Sequence, residues 1–492
     1  MTETCEYVFS PDEWDEKNRP DSAVDSTWEC PHPTHVDTEY CIFHLEPERR
    51  ELLGVTESDV RDAFMRTLES ATSNREARFV GATFPETVVT DQVIAENDAI
   101  EVIDLQHTAF DGKLDLTNAV VAASLTVDCS ELRTFSAPNA VFEGDASFRE
   151  CTFEGNVNLS GAAFKGDTSF KRGSFAQIAD LSDVVFEGDV DLRYSTYTGV
   201  ETTFQGAGFG GTTRATGVTF DSVDFTGANF GGDADFSNTS FREETKFQYA
   251  DFERHATFDS ADFSENSTFR GVDFLGGASF NDVSFQDWVT FLNVEFGADA
   301  DFSKAWFKRD LNMVVESDVN AVLDFSNSRL NKGTFEIAPY DPVVVDFTGA
   351  RLGNVKISSD GEKNPFEYAR FLKTEFSGFP FSKHADALAA NEYVIHESYM
   401  RQKEEPETAA LEKTYRLASE GAKGDDETIA SKFADIEAKY RRERHRQEGK
   451  TGQLVADFVR DYGAYAVVVL VLIGVGVAAF LFGGQIQEAL PI

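Results

Sequence analysis

The stretch ADFSNTSFREETKFQYADFERHATFDSADFSENSTF, residues 234–269, decides the fold because its phenylalanines recur at alternating steps of five and six residues. This spacing matches neither the helical period of about 3.6 residues nor the strand period of about 2 residues. The chain must therefore turn between successive buried residues. Four such steps would close a coil of about 22 residues, and a repeat of this length is typical of a stacked, quasi-one-dimensional core.

The same spacing extends over much of the chain. The upstream series is Phe142, Phe148, Phe153, Leu159, Phe164, Phe170, Phe175, Leu181, Phe186 and Leu192, and the downstream series continues from Phe274 to Phe307. Stacked coils would pair their backbones as parallel strands about 4.8 Å apart. The sequence therefore predicts a mainly β solenoid over 100–382, with on the order of a dozen coils. We expect an irregular coil at 196–219, where the series is disturbed.

Small residues accompany the large ones. A residue such as Ala234, Ala256 or Ala278 stands two positions before a phenylalanine, which predicts one large and one small inward side chain per step. Glycine often falls two positions after the phenylalanine, where we expect it to adopt a positive φ. The examples are Gly144, Gly155, Gly166 and Gly188.

The segments ADFSNTSF, ADFERHATF and ADFSENSTF resemble the pentapeptide-repeat family, whose repeat carries Leu or Phe at its centre. The resemblance covers about half of the chain and implies a right-handed quadrilateral β-helix. Some members of the family resemble DNA in shape and charge.

The chain is strongly acidic, with 86 Asp and Glu against 44 Lys and Arg and a formal net charge of −42. One interpretation is an acidic DNA mimic that regulates a DNA-binding enzyme. The other is adaptation to concentrated salt, in which charged surfaces are strongly screened. We favour the second, haloarchaeal-type interpretation because the acidic residues are spread over every segment.

The N-terminal arm, residues 1–50, combines cysteines and histidines in a Pro-rich stretch. Thiolate and imidazole ligands suit tetrahedral Zn²⁺, and a metal would explain how an arm with few apolar residues becomes ordered. We predict a structural zinc site rather than a catalytic one. Its preferred ligands are Cys5, Cys30, Cys41 and His44, with His32 or His35 as substitutes. The remaining cysteines, Cys129 and Cys151, lie within the repeats and are interpreted as core residues.

Helices are predicted on both sides of the solenoid. In the cap and linker, residues 51–99, Thr56 is a candidate N-cap, and Val60, Phe64 and Leu68 form an apolar stripe. A helical hairpin is predicted over 383–450, with helices at about 407–420 and 427–448.

A membrane anchor is predicted over 451–492, because the uncharged run 462–484 is long enough to span a bilayer. A basic cluster precedes the run: Lys439, Arg441, Arg442, Arg444, Arg446 and Lys450. By the positive-inside rule, we expect a single-pass protein with its bulk in the cytoplasm and its C-terminus outside.

The sequence contains no phosphate-binding loop, nucleophile elbow or dinucleotide fingerprint, and we predict no enzymatic activity. The expected function is a membrane-tethered cytoplasmic scaffold that binds a protein partner along the solenoid. The alternatives are the acidic DNA mimic and a sensor subunit of a channel-like membrane assembly. Direct binding to nucleic acid is not expected, and a homo-oligomer would form through the membrane helix or a solenoid end.

Overall fold

The computed structural model describes residues 4–10, 27–316, 321–337, 343–359, 364–396, 406–461 and 463. The chain forms a parallel β-solenoid of about 13 turns followed by helices, which confirms the predicted solenoid. It divides into two compact units. The first comprises Met1–Asp346 with Val355–Lys363, and the second comprises Phe347–Asn354 with Asn364–Ile492.

In the first unit each coil places a short strand on each of four faces, and each strand pairs in parallel with the strand one coil later. Face A contains Thr83–Phe84, Ala109–Asp115, Glu131–Ser136, Thr152–Phe153, Ser174–Phe175, Thr196–Tyr197, Thr219–Phe220, Ser240–Phe241, Asp262–Phe263, Ser284–Phe285, Trp306–Glu316 and Arg329–Ile337. Face B contains Thr87–Val88, Val157–Asn158, Ala179–Asp180, Thr202–Thr203, Val223–Asp224, Thr245–Lys246, Ser267–Thr268 and Val289–Phe296.

Face C contains Val93–Ile94, Val120–Val121, Val141–Phe142, Ala163–Phe164, Val185–Phe186, Gly208–Phe209, Asn229–Phe230, Asp251–Phe252 and Asp273–Phe274. Face D contains Val102–Asp104, Ser124–Thr126, Ala146–Ser147, Thr168–Ser169, Val190–Asp191, Thr213–Arg214, Ala234–Asp235, Ala256–Thr257, Ala278–Ser279, Ala300–Asp301, Val322–Asp324 and Val344–Asp346. The longer strands, such as Ala109–Asp115, continue around a corner onto the next face.

The interior consists of stacked aromatic columns. The rings of Phe236 and Phe258 stack at 5.1 Å, and Phe258 stacks on Phe280 at 4.8 Å. Phe280 in turn stacks on Phe302 at 4.7 Å, so the predicted inward column is confirmed. Rings of neighbouring columns meet edge to face, as Phe258 does with Phe247 at 5.5 Å. Offset stacks and edge-to-face contacts are the arrangements that aromatic rings prefer, so the core is both filled and specific.

The disturbed stretch 196–219 is a regular coil, and the expectation of an irregular one is wrong. Tyr197 takes the place of a phenylalanine and stacks between Phe175 and Phe220, at 4.3 and 4.9 Å. An extra residue is accommodated at the corner 198–201, where Val200 is 80 % exposed. A shorter corner at 221–222 restores the register on the next coil. Because the corners absorb the insertion, the strands remain paired.

The corner glycines have a different role from the one expected. None of Gly144, Gly155, Gly166 and Gly188 is among the residues with positive φ. A Cβ on Gly144 would lie 2.6 Å from a backbone nitrogen of the preceding coil. On Gly155 it would lie 2.2 Å from a backbone oxygen. Glycine is therefore required at these corners because successive coils approach closely there.

Two helices follow the arm. Helix α1, Pro47–Leu53, ends at Gly54 in the left-handed conformation, and helix α2, Glu57–Ser70, begins with the predicted Thr56 cap. Phe64 of α2 is buried, and its ring contacts those of Phe79 and Phe84 at 4.9 and 5.6 Å. The helix therefore covers the apolar interior of the first coils, which would otherwise be open to solvent.

Residues 351–354 of the strand Arg351–Ser359 belong to the second unit. This unit also contains the strands Ala369–Arg370 and Glu375–Phe376 and the 3-10 turns Pro365–Glu367 and Phe381–His384. Three helices follow: α3 is Ala385–Ala390, α4 is Thr408–Ala422 and α5 is Glu427–Gln447. Helices α4 and α5 pack through buried residues such as Tyr415 and Phe433, whose rings are 6.1 Å apart. Asp426 caps α5 by accepting hydrogen bonds from two backbone N–H groups of its first turn.

The membrane-spanning part of the predicted fold and location requires correction. Within the described ranges, no helix combines the length and the apolar character needed to cross a bilayer. The run 462–484, on which the prediction rested, lies outside the described residues apart from Gly463. A single-pass membrane protein with an external C-terminus is therefore not supported.

Ion pairs within the second unit account for the basic cluster that guided the topology prediction. Helical residues 451–461 follow α5 and bring carboxylates to its basic side chains. The pairs are Arg441 with Glu437, Asp457 and Asp461, Arg442 with Asp461, Arg444 with Glu412 and Glu448, and Lys450 with Glu448. Four of the six basic side chains in the cluster, Arg441, Arg442, Arg444 and Lys450, thus have carboxylate partners within the second unit.

Two aspartates that follow inward residues, Asp235 and Asp273, have different electrostatic surroundings. Asp235 accepts hydrogen bonds from the Ser237 backbone N–H at 2.9 Å and the Thr216 hydroxyl at 2.7 Å. Burial opposes its ionisation, but these hydrogen bonds outweigh that effect and lower the pKa of Asp235. In contrast, burial and the neighbouring Asp251 carboxylate raise the pKa of Asp273.

We therefore expect opposite effects from two matched substitutions. Asp235→Asn removes a charge-assisted hydrogen bond and should lower the free energy of unfolding at neutral pH by about 1 kcal/mol. Asp273→Asn removes like-charge repulsion and should raise that free energy. Denaturant unfolding of both variants at neutral pH measures these changes. The same sign for both would contradict the electrostatic assignment.

The pH dependence of these variants follows from the two shifts. The contribution of Asp235, whose pKa is lowered on folding, is present above the unfolded pKa and is lost as pH falls through the folded pKa. The unfavourable contribution of Asp273, whose pKa is raised, disappears as pH falls through its folded pKa. The difference between the two variants should therefore shrink as the solution is acidified.

Candidate metal centre

A two-stranded hairpin positions the first two cysteines of the arm. Strands Val8–Phe9 and Trp28–Glu29 pair in antiparallel fashion. Beside them, the N–H of Cys30 donates to the Tyr7 carbonyl at 3.1 Å, and the N–H of Cys5 donates to the His32 carbonyl at 3.0 Å. These backbone bonds bring Cys5 and Cys30 together although they are far apart in sequence.

A tight turn supplies the other two donors. The N–H of His44 donates to the Cys41 carbonyl at 3.0 Å, which places both side chains on the same side of the turn. Between them in sequence, Phe43 is buried against Phe79, with the rings 4.9 Å apart. Because this anchor belongs to the first coil, the turn is held against the N-terminal end of the solenoid.

The four donor atoms have the spacing of a metal site. The sulfur atoms and the ring nitrogen of Cys5, Cys30, Cys41 and His44 all lie within 4.8 Å of one another. Cys30 Sγ lies 3.7 Å from Cys41 Sγ, and His44 Nδ1 lies 3.1 Å from Cys41 Sγ and 3.8 Å from Cys5 Sγ. A tetrahedron with metal–sulfur bonds of about 2.3 Å has edges of about 3.8 Å. The four residues could therefore bind a metal ion.

Neighbouring groups orient these ligands. His44 Nε2 donates a hydrogen bond to the Val80 carbonyl at 3.0 Å, which leaves Nδ1 as the lone-pair donor toward the sulfurs. The Tyr7 ring stacks on the imidazole at 3.9 Å, and the backbone N–H of Cys41 donates to Cys5 Sγ at 3.1 Å. These contacts favour one imidazole orientation and one thiolate before any ion binds.

The thiols affect one another's ionisation. Hydrogen bonds from the Cys30 and Cys41 side chains lower the pKa of the Cys5 thiol well below its usual value. The hydrogen bonds that the Cys30 thiol makes with the side chains of Cys41 and Cys5 raise its own pKa, and burial raises it further. Without a cation, the buried cluster thus favours one thiolate over three. A bound dication would stabilise the remaining negative charges, and binding would release protons.

His32 and His35, the two histidines predicted as alternative ligands, lie outside this cluster. His32 is buried, stacks on Phe79 at 4.9 Å and donates from Nε2 to the Arg78 carbonyl at 2.9 Å. Its burial lowers the pKa of the ring, so His32 is held as a neutral donor. His35 is half-buried in the turn before Thr38 and is not part of the donor cluster.

Sequence reasoning missed Arg50, a positioning residue. Its guanidinium is buried and donates to the carbonyls of Ile42 and Phe43, at 3.3 and 3.2 Å, and to the carbonyl of Thr83. It therefore joins the segment that carries Cys41 and His44 to the first coil. No sequence motif distinguishes Arg50 from the adjacent Arg49, because only its carbonyl partners reveal the role.

Comparison with known families supports the repeat architecture. Segments 105–172, 148–196, 225–267, 236–284 and 258–306 match a family model described as pentapeptide repeats, nine copies. The matched segments cover less than half of the chain and leave out the arm and the C-terminal helices. Neither a curated protein nor a solved structure matches the chain. The match is to a repeat family whose members are generally structural or interaction proteins.

Proposed function

We propose that this protein is a non-enzymatic scaffold that binds a basic protein partner along face C of its solenoid. The repeat architecture supports a scaffold, because a long solenoid presents an extended and regular surface. Fold alone cannot identify a partner, so the proposal rests on the side chains that this surface presents.

The supporting observation is an uncharged column on face C. The outward residues of successive strands, in register, are Val93, Val120, Val141, Ala163, Val185 and Gly208. Val93 is 46 % exposed and Val185 is 45 % exposed. Six strands at about 4.8 Å spacing form a flat apolar stripe about 24 Å long. In a chain with a net charge of −42, such a surface is typical of a protein interface.

The same column becomes acidic farther along the solenoid. After Asn229 come Asp251, Asp273 and Glu295, again in register on adjacent strands. None of the ion pairs among the described residues involves Asp251 or Asp273. Burial raises the pKa of both carboxyl groups, so a nearby cation would be favourable. A partner with an apolar patch beside basic side chains would complement both parts of the column.

Paired variants test this proposal. Val141→Asp combined with Val185→Asp adds charge to the stripe, whereas Ser174→Asp combined with Thr219→Asp adds the same charge to face A. Each purified variant is used to capture partners from a native extract. We expect wild type and the face A variant to retain one stoichiometric basic protein that the stripe variant loses, while all three melt alike.

Retention of that protein by the stripe variant would contradict the proposed surface. A captured DNA-binding protein that duplex DNA displaces from all three baits would instead support the acidic DNA mimic. That result would overturn the scaffold proposal, because a DNA mimic depends on distributed charge rather than on the valine column.

We also propose Zn²⁺ as the metal of the candidate centre. Three thiolates and one imidazole suit a borderline-soft, tetrahedral ion, and these four donors can fill all four positions without water. A closed coordination shell is typical of structural zinc. The ion would hold Cys5 and Cys30 of the hairpin to Cys41 and His44 of the turn, and so keep the arm on the solenoid.

Adaptation to concentrated salt is the interpretation that we propose for the acidic surface. Repulsion among exposed carboxylates is screened with a Debye length of about 3 Å in 1 M salt, but extends to about 10 Å in 0.1 M salt. We expect the melting temperature to rise markedly as KCl is increased from about 0.1 M to 3 M. Thermal unfolding across this series measures the effect, and an unchanged melting temperature would argue against adaptation to salt.

A further inference from the structure

The first coil has a backbone edge, residues 78–83, that the arm covers. In a parallel sheet, alternate residues direct their backbone groups to opposite sides of the strand. Arg78 forms an isolated bridge, Val80 lies in a turn and Thr83 begins the strand Thr83–Phe84. The backbone groups that bond to the second coil belong to their neighbours Ala77, Phe79, Gly81 and Ala82, so these three residues face the N-terminal end. An edge of this kind is a template for pairing with another chain.

Groups of the arm satisfy this edge. The Arg78 carbonyl accepts from His32 Nε2 at 2.9 Å, and the Val80 carbonyl accepts from His44 Nε2 at 3.0 Å. At Thr83, the N–H donates to the Phe43 carbonyl at 3.0 Å, and the carbonyl accepts from Arg50. The arm thus replaces the strand that a preceding coil would provide.

One imidazole connects this cover to the candidate metal centre. His44 Nδ1 faces the sulfurs of Cys41 and Cys5, while His44 Nε2 donates to the solenoid edge. Metal coordination at Nδ1 requires the proton to be on Nε2, where the Val80 carbonyl needs it. Loss of the metal therefore removes the cross-link within the arm and leaves the Val80 carbonyl as the group that keeps the proton on Nε2.

We propose that oxidation of the thiolates in this centre releases the metal and the arm. The edge is then uncovered and pairs with the same edge of a second copy of the chain. The inference rests on the proposed zinc site. A second copy is the favoured occupant because identical edges related by a two-fold axis are self-complementary. Thr83, in the strand Thr83–Phe84, offers both an N–H donor and a carbonyl acceptor, so two copies can exchange two backbone hydrogen bonds there as antiparallel strands.

The oxidation step uses a hydroperoxide. Two thiolates of the cluster together lose two electrons and form one sulfur–sulfur bond. Cys30 and Cys41, whose sulfur atoms lie 3.7 Å apart, are one such pair. The oxygen–oxygen bond of hydrogen peroxide breaks, and its two oxygens leave as hydroxide, which becomes water on protonation. The metal dication, now without two of its ligands, passes to solvent. Reduction by a dithiol returns the thiolates and allows metal to rebind.

The experiment uses the full chain loaded with one equivalent of zinc. Hydrogen peroxide is added, and released zinc, remaining thiols and solution mass are measured. We expect wild type to release about one zinc, to lose two thiols and to double in mass, with reversal by dithiothreitol and zinc. Cys129→Ser, which changes a cysteine outside the cluster, should respond in the same way.

Thr83→Lys tests the pairing of the edge separately from metal release, because a lysine on an edge strand opposes pairing. This variant should bind and release zinc as wild type does but remain at its original mass. Zinc release from wild type without a change in mass would overturn the proposed pairing. Mass doubling in Thr83→Lys would overturn the proposed edge. A chain that binds no zinc before oxidation would refute the zinc site itself, which is a distinguishable outcome.

Discussion

Replacing Phe258 with alanine is expected to lower the free energy of unfolding by about 3–5 kcal/mol. The side chain is fully buried and stacks on Phe236 and Phe280 at 5.1 and 4.8 Å. Its loss would leave a cavity that the stacked rings cannot fill, because each is held by the coil on its far side. Phe258→Asp should cost more, since it also buries an unpaired charge. Denaturant unfolding followed by far-UV circular dichroism measures both effects.

Trp288→Ala is the control for the loss of a large aromatic side chain. Trp288 belongs to the same solenoid but is 60 % exposed at a corner. Its substitution should change the free energy of unfolding by less than about 0.5 kcal/mol. Equal effects of Phe258→Ala and Trp288→Ala would contradict the role of the inward column in stability.

Purified without added metal, the full chain is expected to contain about one equivalent of zinc, measured by elemental analysis. Cys41→Ser should lose the metal, because Cys41 contacts both Cys30 Sγ and His44 Nδ1. Structural zinc contributes about 10–16 kcal/mol to the folding of zinc-finger peptides at pH 7, so the arm should become disordered. Faster proteolysis before residue 50 would report this change.

Cys129→Ser is the control variant, because it removes a thiol that is not part of the donor cluster. It should retain the metal and an intact arm. Metal affinity should fall with decreasing pH, because the ligands bind in their deprotonated forms. A folded wild-type arm without metal would contradict the zinc assignment.

Repetition explains why the sequence determined so much of the solenoid. An inward residue recurs every five or six positions, so the pattern that buries Phe236 also buries Phe258 and Phe280 one and two coils later. A local rule applied many times predicts the coil length, the parallel pairing and the composition of the core. The four members of the donor cluster could also be predicted, because cysteine and histidine in a short arm have few other structural roles.

Only the tertiary structure decided what happens between coils and at the ends. Gly144 stands where it does because the backbone of the preceding coil leaves no room for a Cβ. Asp235 and Asp273 occupy similar sequence contexts, yet one gains hydrogen bonds and the other faces a carboxylate. The extra residue at 198–201 is accommodated because a shorter corner on the next coil restores the register.

The basic residues of α5 illustrate the same limit. Arg441 counted as part of a membrane-flanking cluster in sequence, but its partners Asp457 and Asp461 become neighbours only when residues 451–461 pack beside the helix. His32 and His44 are both candidate ligands by sequence, and each donates from Nε2 to a backbone carbonyl, but only His44 lies in the donor cluster. Periodic burial is a local property that sequence determines by itself. Electrostatic partners and close backbone contacts join residues distant in sequence, so only the folded chain establishes them.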